Sequence, residues 1–235
     1  MTLRSRSLTL LVRHDLHTLL RNRKLLASNS AGVGLIILLL MVNVRHQSGS
    51  ILTGMFVFAI LVGAVVTPLT VAVHSLVGER ERRTLEPLML LPLNVEILLC
   101  GKLLTTLLFS MLTVAIVWLV IGAGAIARGA TVTPYVFTRE AAYTTFILAP
   151  ITTILFGTVA LMVSGRARDA QTALATCQLL VAPVLLVMLA MWMGFIALSP
   201  HFLLVAAASL AALGIGAIGL AIRVLDPERL LQEQR

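Results

Sequence analysis

Charge is scarce in this chain of 235 residues, because Asp, Glu, Lys and Arg together make up only 12% of it. A soluble domain carries about twice that fraction, roughly 25%. Hydrophobic residues make up 59% of the chain, and the mean hydropathy is +1.01. The composition therefore excludes an ordinary soluble globular domain and predicts an all-α integral membrane protein.

The sequence also lacks the patterns of common catalytic and metal sites. Its two cysteines, Cys100 and Cys177, have neither the number nor the spacing of a disulfide framework or a zinc site. The five histidines do not have metal-ligand spacing. No Gly-x-x-x-x-Gly-Lys-Ser/Thr loop is present, so the chain cannot hydrolyse ATP by that route. We therefore expect no enzymatic activity, no metal and no cofactor in this chain.

Long runs without charge indicate where the chain crosses the bilayer. About 20 helical residues cross a hydrocarbon core of about 30 Å. The last uncharged run, 170–222, has 53 residues and must contain two spans. We place the break at Ser199 to His201, because Pro200 restricts the preceding residue and lacks a backbone donor. The sequence thus predicts six transmembrane helices (residues 25–222), at about 25–44, 51–77, 103–127, 141–163, 173–198 and 202–222.

Basic residues are distributed unevenly between the segments that join these spans. The alternating segments place 15 of the 18 Lys and Arg residues on one side, and three, Arg45, Arg128 and Arg139, on the other. By the positive-inside rule, both termini are cytoplasmic, including the tail 223–235. The net charge of +8 then reflects orientation in the lipid bilayer rather than binding to nucleic acid.

The N-terminal segment 1–24 has the pattern of an amphipathic helix in the inner interface. Apolar residues recur on one face of that helix, and basic residues recur on the other. The apolar face is Leu8, Leu11, Val12, Leu16 and Leu19, and the polar face is Arg13, His17, Arg21 and Lys24. A solvated basic tail is the alternative. We expect no cleavable signal peptide, because charge runs throughout the segment.

The loop 78–102, between the second and third spans, combines clustered charge with a short apolar helix. Thr84 is placed to cap a helix that Pro92 ends, and the segment after Pro92 leads through Lys102 into the third span. Leu85, Leu88 and Met89 share one face of this helix, which is too short to cross a membrane. The helix must therefore contact the bilayer surface, the chain's own spans or a cytoplasmic partner.

This loop contains the run Glu-Arg-Glu-Arg-Arg-Thr-Leu-Glu-Pro-Leu-Met-Leu-Leu-Pro, from Glu79 to Pro92, and then Ile-Leu-Leu-Cys-Gly-Lys, which ends at Lys102. The two runs together resemble the signature loop of permease subunits of type-2 ABC exporters. In that family this loop forms a coupling helix that sits in a cleft of the ATPase subunit. The resemblance implies coupling roles for Glu79, Glu81, Arg82, Thr84, Leu85, Glu86, Leu88, Met89, Pro92 and Lys102. The turn with Arg166, Arg168 and Asp169 resembles the family's second cytoplasmic turn.

The resemblance implies a permease in the cytoplasmic membrane of a prokaryote. It pairs with a second permease copy and with two ATP-binding subunits, which hold ATP and Mg²⁺. We expect an apolar or amphipathic substrate to be exported between the protomers. We expect polar residues of the second and fifth spans to line the pathway, namely Thr53, Thr67, Thr70, Gln171, Thr176 and Gln178.

Other readings of the sequence remain open. Leu85 to Leu93 with Lys102 also resembles the haem exporter permease of cytochrome c maturation. Several family members have a large external domain between the first two spans, whereas here only about 45–50 is available. A secondary transporter would place ionisable residues inside its spans. Here the interiors of the six predicted spans contain no Asp, Glu, Lys or Arg, and His74 is the only histidine in them. A structural membrane anchor is a further alternative.

Overall fold

The computed structural model describes residues 12, 16–19, 34, 49–81, 95–127, 137–167, 169–193, 195 and 199–224. These residues are helical apart from short turns and contain no strand. Five long helices account for most of them: α1 (Gly49–Glu81), α2 (Val95–Ala127), α3 (Arg139–Arg166), α4 (Ala170–Trp192) and α5 (Pro200–Val224). All five are long and apolar enough to cross a membrane, which agrees with the predicted multi-pass architecture, and the all-helical class is confirmed for the described residues.

The five helices correspond to the second to sixth predicted spans. The first predicted span, 25–44, lies outside the described residues apart from the helical Gly34. The predicted break before Pro200 is present, and the Ser199 hydroxyl accepts a hydrogen bond from the Phe202 amide at 3.2 Å. Pro200 occupies the first position of α5, where its missing donor costs nothing. The helix before the break, α4, already ends at Trp192, short of the predicted end at residue 198.

Helix α1 lies at the centre of the bundle. It packs against α2, α3 and α4, while α5 packs mainly against α3. In the apolar stretch of α1 that is long enough to span a membrane, 83% is buried, compared with 22% for the same stretch of α4 and 17% for that of α5. Helix α2 is intermediate, since leucines at every fourth position face away from the bundle. The outer surfaces of α2, α4 and α5 are therefore those that meet lipid or another apolar surface.

Helix α3 has a wider turn within its first half. Thr138 caps it, with its hydroxyl accepting from the Ala141 amide at 3.2 Å. Residues Thr144–Leu148 then form a π-helical turn before the α-helix resumes at Ala149. Pro150 follows directly, and its ring would meet the carbonyl four residues earlier in a regular α-helix. The wider turn relieves this contact.

A short helical piece of the N-terminal segment, 16–19, packs on the bundle. Leu19 is buried in a cluster with Val71 of α1 and Phe109 of α2, while His17 is exposed. This burial pattern agrees with the predicted faces at these positions. The amphipathic helix over 1–24 remains a prediction, because most of that segment lies outside the described residues.

Candidate functional site

The helix ends that flank the two predicted cytoplasmic loops lie at one end of the bundle. Consecutive helices run antiparallel, since Trp118 late in α2 meets Thr145 early in α3, and Trp192 at the end of α4 stacks on Phe58 near the start of α1. Helices α1 and α3 therefore end where α2 and α4 begin. The contact between Lys102 near the start of α2 and Ser75 near the end of α1 fixes this arrangement for the first pair. The two loops that the sequence singled out therefore leave the bundle at the same end.

Of the ten predicted coupling residues, three belong to described helices. Glu79 and Glu81 belong to the last turn of α1, whose backbone is described. Seven others lie outside the described residues, namely Arg82, Thr84, Leu85, Glu86, Leu88, Met89 and Pro92. The coupling helix thus remains a prediction. The structure does establish that the most deeply packed helix, α1, leads directly into this loop.

Lys102 lies inside the bundle rather than on its surface. Helix α2 begins at Val95, so Lys102 is two turns into the helix, and its side chain is only 3% exposed. Its Nζ donates to the Ser75 carbonyl of α1 over 3.4 Å. The sequence placed this residue at the start of the third span but did not predict the contact. Lys102 therefore links the two helices that flank the loop.

The second turn, between α3 and α4, is short, and Arg166 and Asp169 are exposed there. Arg166 is the exposed last residue of α3, and Arg168 lies outside the described residues. Asp169 caps α4, with its Oδ1 accepting from the Thr172 amide at 2.7 Å. Hydrogen bonds from the side chain and backbone of Thr172 hold the pKa of Asp169 below its ordinary value. Asp169 therefore has a clear local role as a helix cap.

The six predicted pathway residues do not share one face of this chain. Thr67 is fully buried in α1, and Thr53 and Thr70 are half-buried in the same helix. The three residues of α4 are exposed on its outer side, namely Gln171, Thr176 and Gln178. A pathway that uses both groups would need a surface in addition to the described residues.

The imidazole of His74 is tied to its own helix. Its Nδ1 lies 2.8 Å from the Thr70 carbonyl, and because a carbonyl can only accept, Nδ1 carries the proton. The side chain is half-buried near the end of α1 that leads into the loop. This local bond gives the residue a structural function within α1.

Polar contacts between helices were not predicted from the sequence. The Trp118 indole of α2 donates to the Thr145 hydroxyl of α3 at 2.7 Å, and that hydroxyl donates to the Ala141 carbonyl at 2.8 Å. A second set joins α1, α2 and α3 around Pro68 and includes Thr153. The sequence signal for this second set is Pro68 within an uncharged run, because a proline inside a helix predicts a backbone carbonyl that needs a donor from elsewhere.

Comparison of the chain with protein-family models, with curated proteins and with solved structures found no match.

Proposed function

We propose that this chain is the transmembrane permease subunit of an ATP-driven exporter, working as a dimer with two separate ATP-binding subunits. The proposal is carried by the loop 78–102, whose sequence resembles the coupling loop of type-2 ABC exporter permeases. Its location in the fold supports the proposal, because the loop joins the central helix α1 to α2. Both termini are cytoplasmic in this proposal, and the loop faces the ATP-binding subunits.

The packing of α1 makes a mechanical link between the loop and the bundle physically reasonable. A displacement of the Glu81 end of α1 is transmitted to α2, α3 and α4, since α1 packs against all three. Close-packed interiors respond to strain by repacking rather than by continuous deformation. A partner at the loop therefore needs only to favour one of two packings that differ by a few kcal/mol.

The energy source is the second part of the proposal. A secondary transporter typically uses acidic or basic side chains within its spans to couple ions or protons. Apart from Lys102 at the loop end of α2, the interiors of the described spans contain no Asp, Glu, Lys or Arg, which favours energy supplied by a partner subunit instead. A route between protomers would be lined by uncharged residues, which favours an apolar or amphipathic substrate.

The test uses the tagged full chain in its native membrane, with a photo-crosslinking residue at Leu88. We expect a crosslink to a subunit whose sequence contains a phosphate-binding loop. We also expect Glu86→Arg and Leu88→Asp to abolish ATP-dependent transport and stimulated ATPase activity at normal membrane levels of the protein.

Glu228→Arg in the C-terminal tail is the matched control, because it makes the same charge change on the same predicted side. We expect this variant to transport normally. Normal transport by both loop variants would contradict the coupling role. Transport driven by an ion gradient without any ATP-binding subunit would establish a secondary transporter instead.

A further inference from the structure

Helix α1 carries a proline at its centre, surrounded by other helices. Pro68 has no amide proton, so the Ala64 carbonyl lacks the donor that an α-helix normally supplies four residues later. Ala64 is 0% exposed, which keeps solvent and lipid head groups away from this carbonyl. A backbone carbonyl without a donor in apolar surroundings is costly. The position therefore requires a donor from another helix.

The donor is a hydroxyl of α3. Thr153 Oγ1 lies 3.1 Å from the Ala64 oxygen, and since a carbonyl can only accept, Thr153 donates its proton. Ser110 Oγ of α2 lies 3.0 Å from Thr153 Oγ1, so Ser110 is the donor in that pair. Both hydroxyl residues are at most 1% exposed. We call Ser110, Thr153 and the Ala64 carbonyl the hydroxyl relay.

The hydroxyl relay differs from the other threonine contacts around it. Thr106 and Thr158 are also buried, but each donates to the carbonyl four residues earlier in its own helix, at 2.7 Å. The corresponding carbonyl for Thr153 is that of Ala149, which already accepts from Thr152 Oγ1 at 2.9 Å. This competition favours the bond from Thr153 to α1.

The backbone around Pro68 is arranged for close contact of the three helices. Gly157, one turn after Thr153, faces the same junction. A Cβ at Gly157 would lie 3.8 Å from Pro68 Cβ, 3.5 Å from Leu103 Cδ2 and 3.4 Å from the Thr106 methyl. A single Cβ would thus fit here in ordinary contact, and a larger side chain would not. This small residue keeps α3 close to the proline, with the Thr153 hydroxyl within reach of α1.

We propose that the hydroxyl relay holds α1 rigid at Pro68 and that its opening loosens the helix at this point. While Thr153 donates to Ala64, the carbonyl that Pro68 leaves without an intrahelical donor is satisfied, and α1 is tied to α3 at this point. When the hydroxyl turns away, this carbonyl has no donor at the level where α1, α2 and α3 meet. This proposal concerns the helix itself and does not depend on the transport function proposed above.

The first test is amide hydrogen exchange of the full chain in lipid nanodiscs. In Thr153→Val, the isosteric variant without a donor, we expect exchange in residues 65–72 to accelerate about tenfold, as for the loss of one buried hydrogen bond. Thr158→Val is the matched control, since it removes a buried threonine hydroxyl of α3 that bonds only within its helix. It should leave exchange in 65–72 unchanged. Equal acceleration in the two variants would overturn the proposal.

The second test repeats the exchange measurement in a Pro68→Ala background, where residue 68 again has an amide that can donate to the Ala64 carbonyl. There, Thr153→Val should accelerate exchange by less than about twofold, because the hydroxyl is no longer required. A tenfold effect that persists in this background would show that Thr153 acts through something other than the proline gap. Thr153→Ser keeps the donor and should retain slow exchange, which separates the hydroxyl from the packing of the lost methyl group.

Discussion

Substitution of Gly157 tests the junction of α1, α2 and α3 most directly. The added Cβ of Gly157→Ala would make ordinary van der Waals contact with side chains of α1 and α2, at 3.4 to 3.8 Å. Alanine also lowers the conformational entropy of the unfolded chain, which contributes about 0.5–1 kcal/mol inside a helix. We therefore expect Gly157→Ala to increase the free energy of unfolding.

A larger side chain at the same position should have the opposite effect. Gly157→Leu places further carbons where Thr106, Leu103 and Pro68 already lie. Overpacking of this kind typically costs about 1–3 kcal/mol. Gly216 of α5 provides the control, because none of the described residues lies within 4 Å of a Cβ added there. Gly216→Leu should therefore not destabilise the protein.

The assay is unfolding of the purified chain in micelles by a denaturing detergent, followed by tryptophan fluorescence. The informative quantity is the difference between the leucine variants at the two glycines. If Gly157→Leu were as stable as Gly216→Leu, the three helices would not meet at this point. The positions of Pro68 and Thr153 relative to each other would then also need revision.

Two further predictions concern single hydrogen bonds at the two ends of the bundle. Trp118→Phe should lower the free energy of unfolding by about 1 kcal/mol, because it removes the donor to Thr145 and keeps an aromatic ring next to Phe137. In a Thr145→Val background the same change should cost clearly less, and full additivity would contradict the bond. Asp169, whose folded-state pKa is lowered by Thr172, should stabilise the protein above its unfolded pKa of about 3.9 and lose this contribution as pH falls through the folded pKa. The stability difference between wild type and Asp169→Asn, measured from pH 7 to 2.5, should therefore change only at the acidic end.

The location of the membrane helices follows from local composition, which explains why it could be predicted. A run of about 20 uncharged residues has few alternatives to a membrane helix. The break at Pro200 is equally local, since proline removes a donor at a defined position. These features need no knowledge of which helices are neighbours.

The arrangement of the helices could not be predicted in the same way. The apolar windows of the five helices have mean hydropathies between 2.2 and 2.5, so hydropathy does not distinguish the enclosed α1 from the peripheral α5. Contacts such as Lys102 to Ser75 and Thr153 to Ala64 depend on the rotation and vertical position of each helix. Those variables are set by packing against neighbours rather than by the sequence of one helix. For the same reason, the predicted pathway residues of α1 and α4 shared a polar character but not a surface.

The order of synthesis gives the proline of α1 a temporal consequence. Thr153 follows Ala64 by 89 residues in the chain. At about 5–20 residues per second, the ribosome needs roughly 4–18 s to produce this interval. A newly inserted α1 therefore lacks the Thr153 hydroxyl until α3 has been made. During that time the Ala64 carbonyl has to accept a hydrogen bond from water, lipid head groups or the insertion machinery. Completion of α3 would then be the step that commits α1 to its final depth in the bilayer.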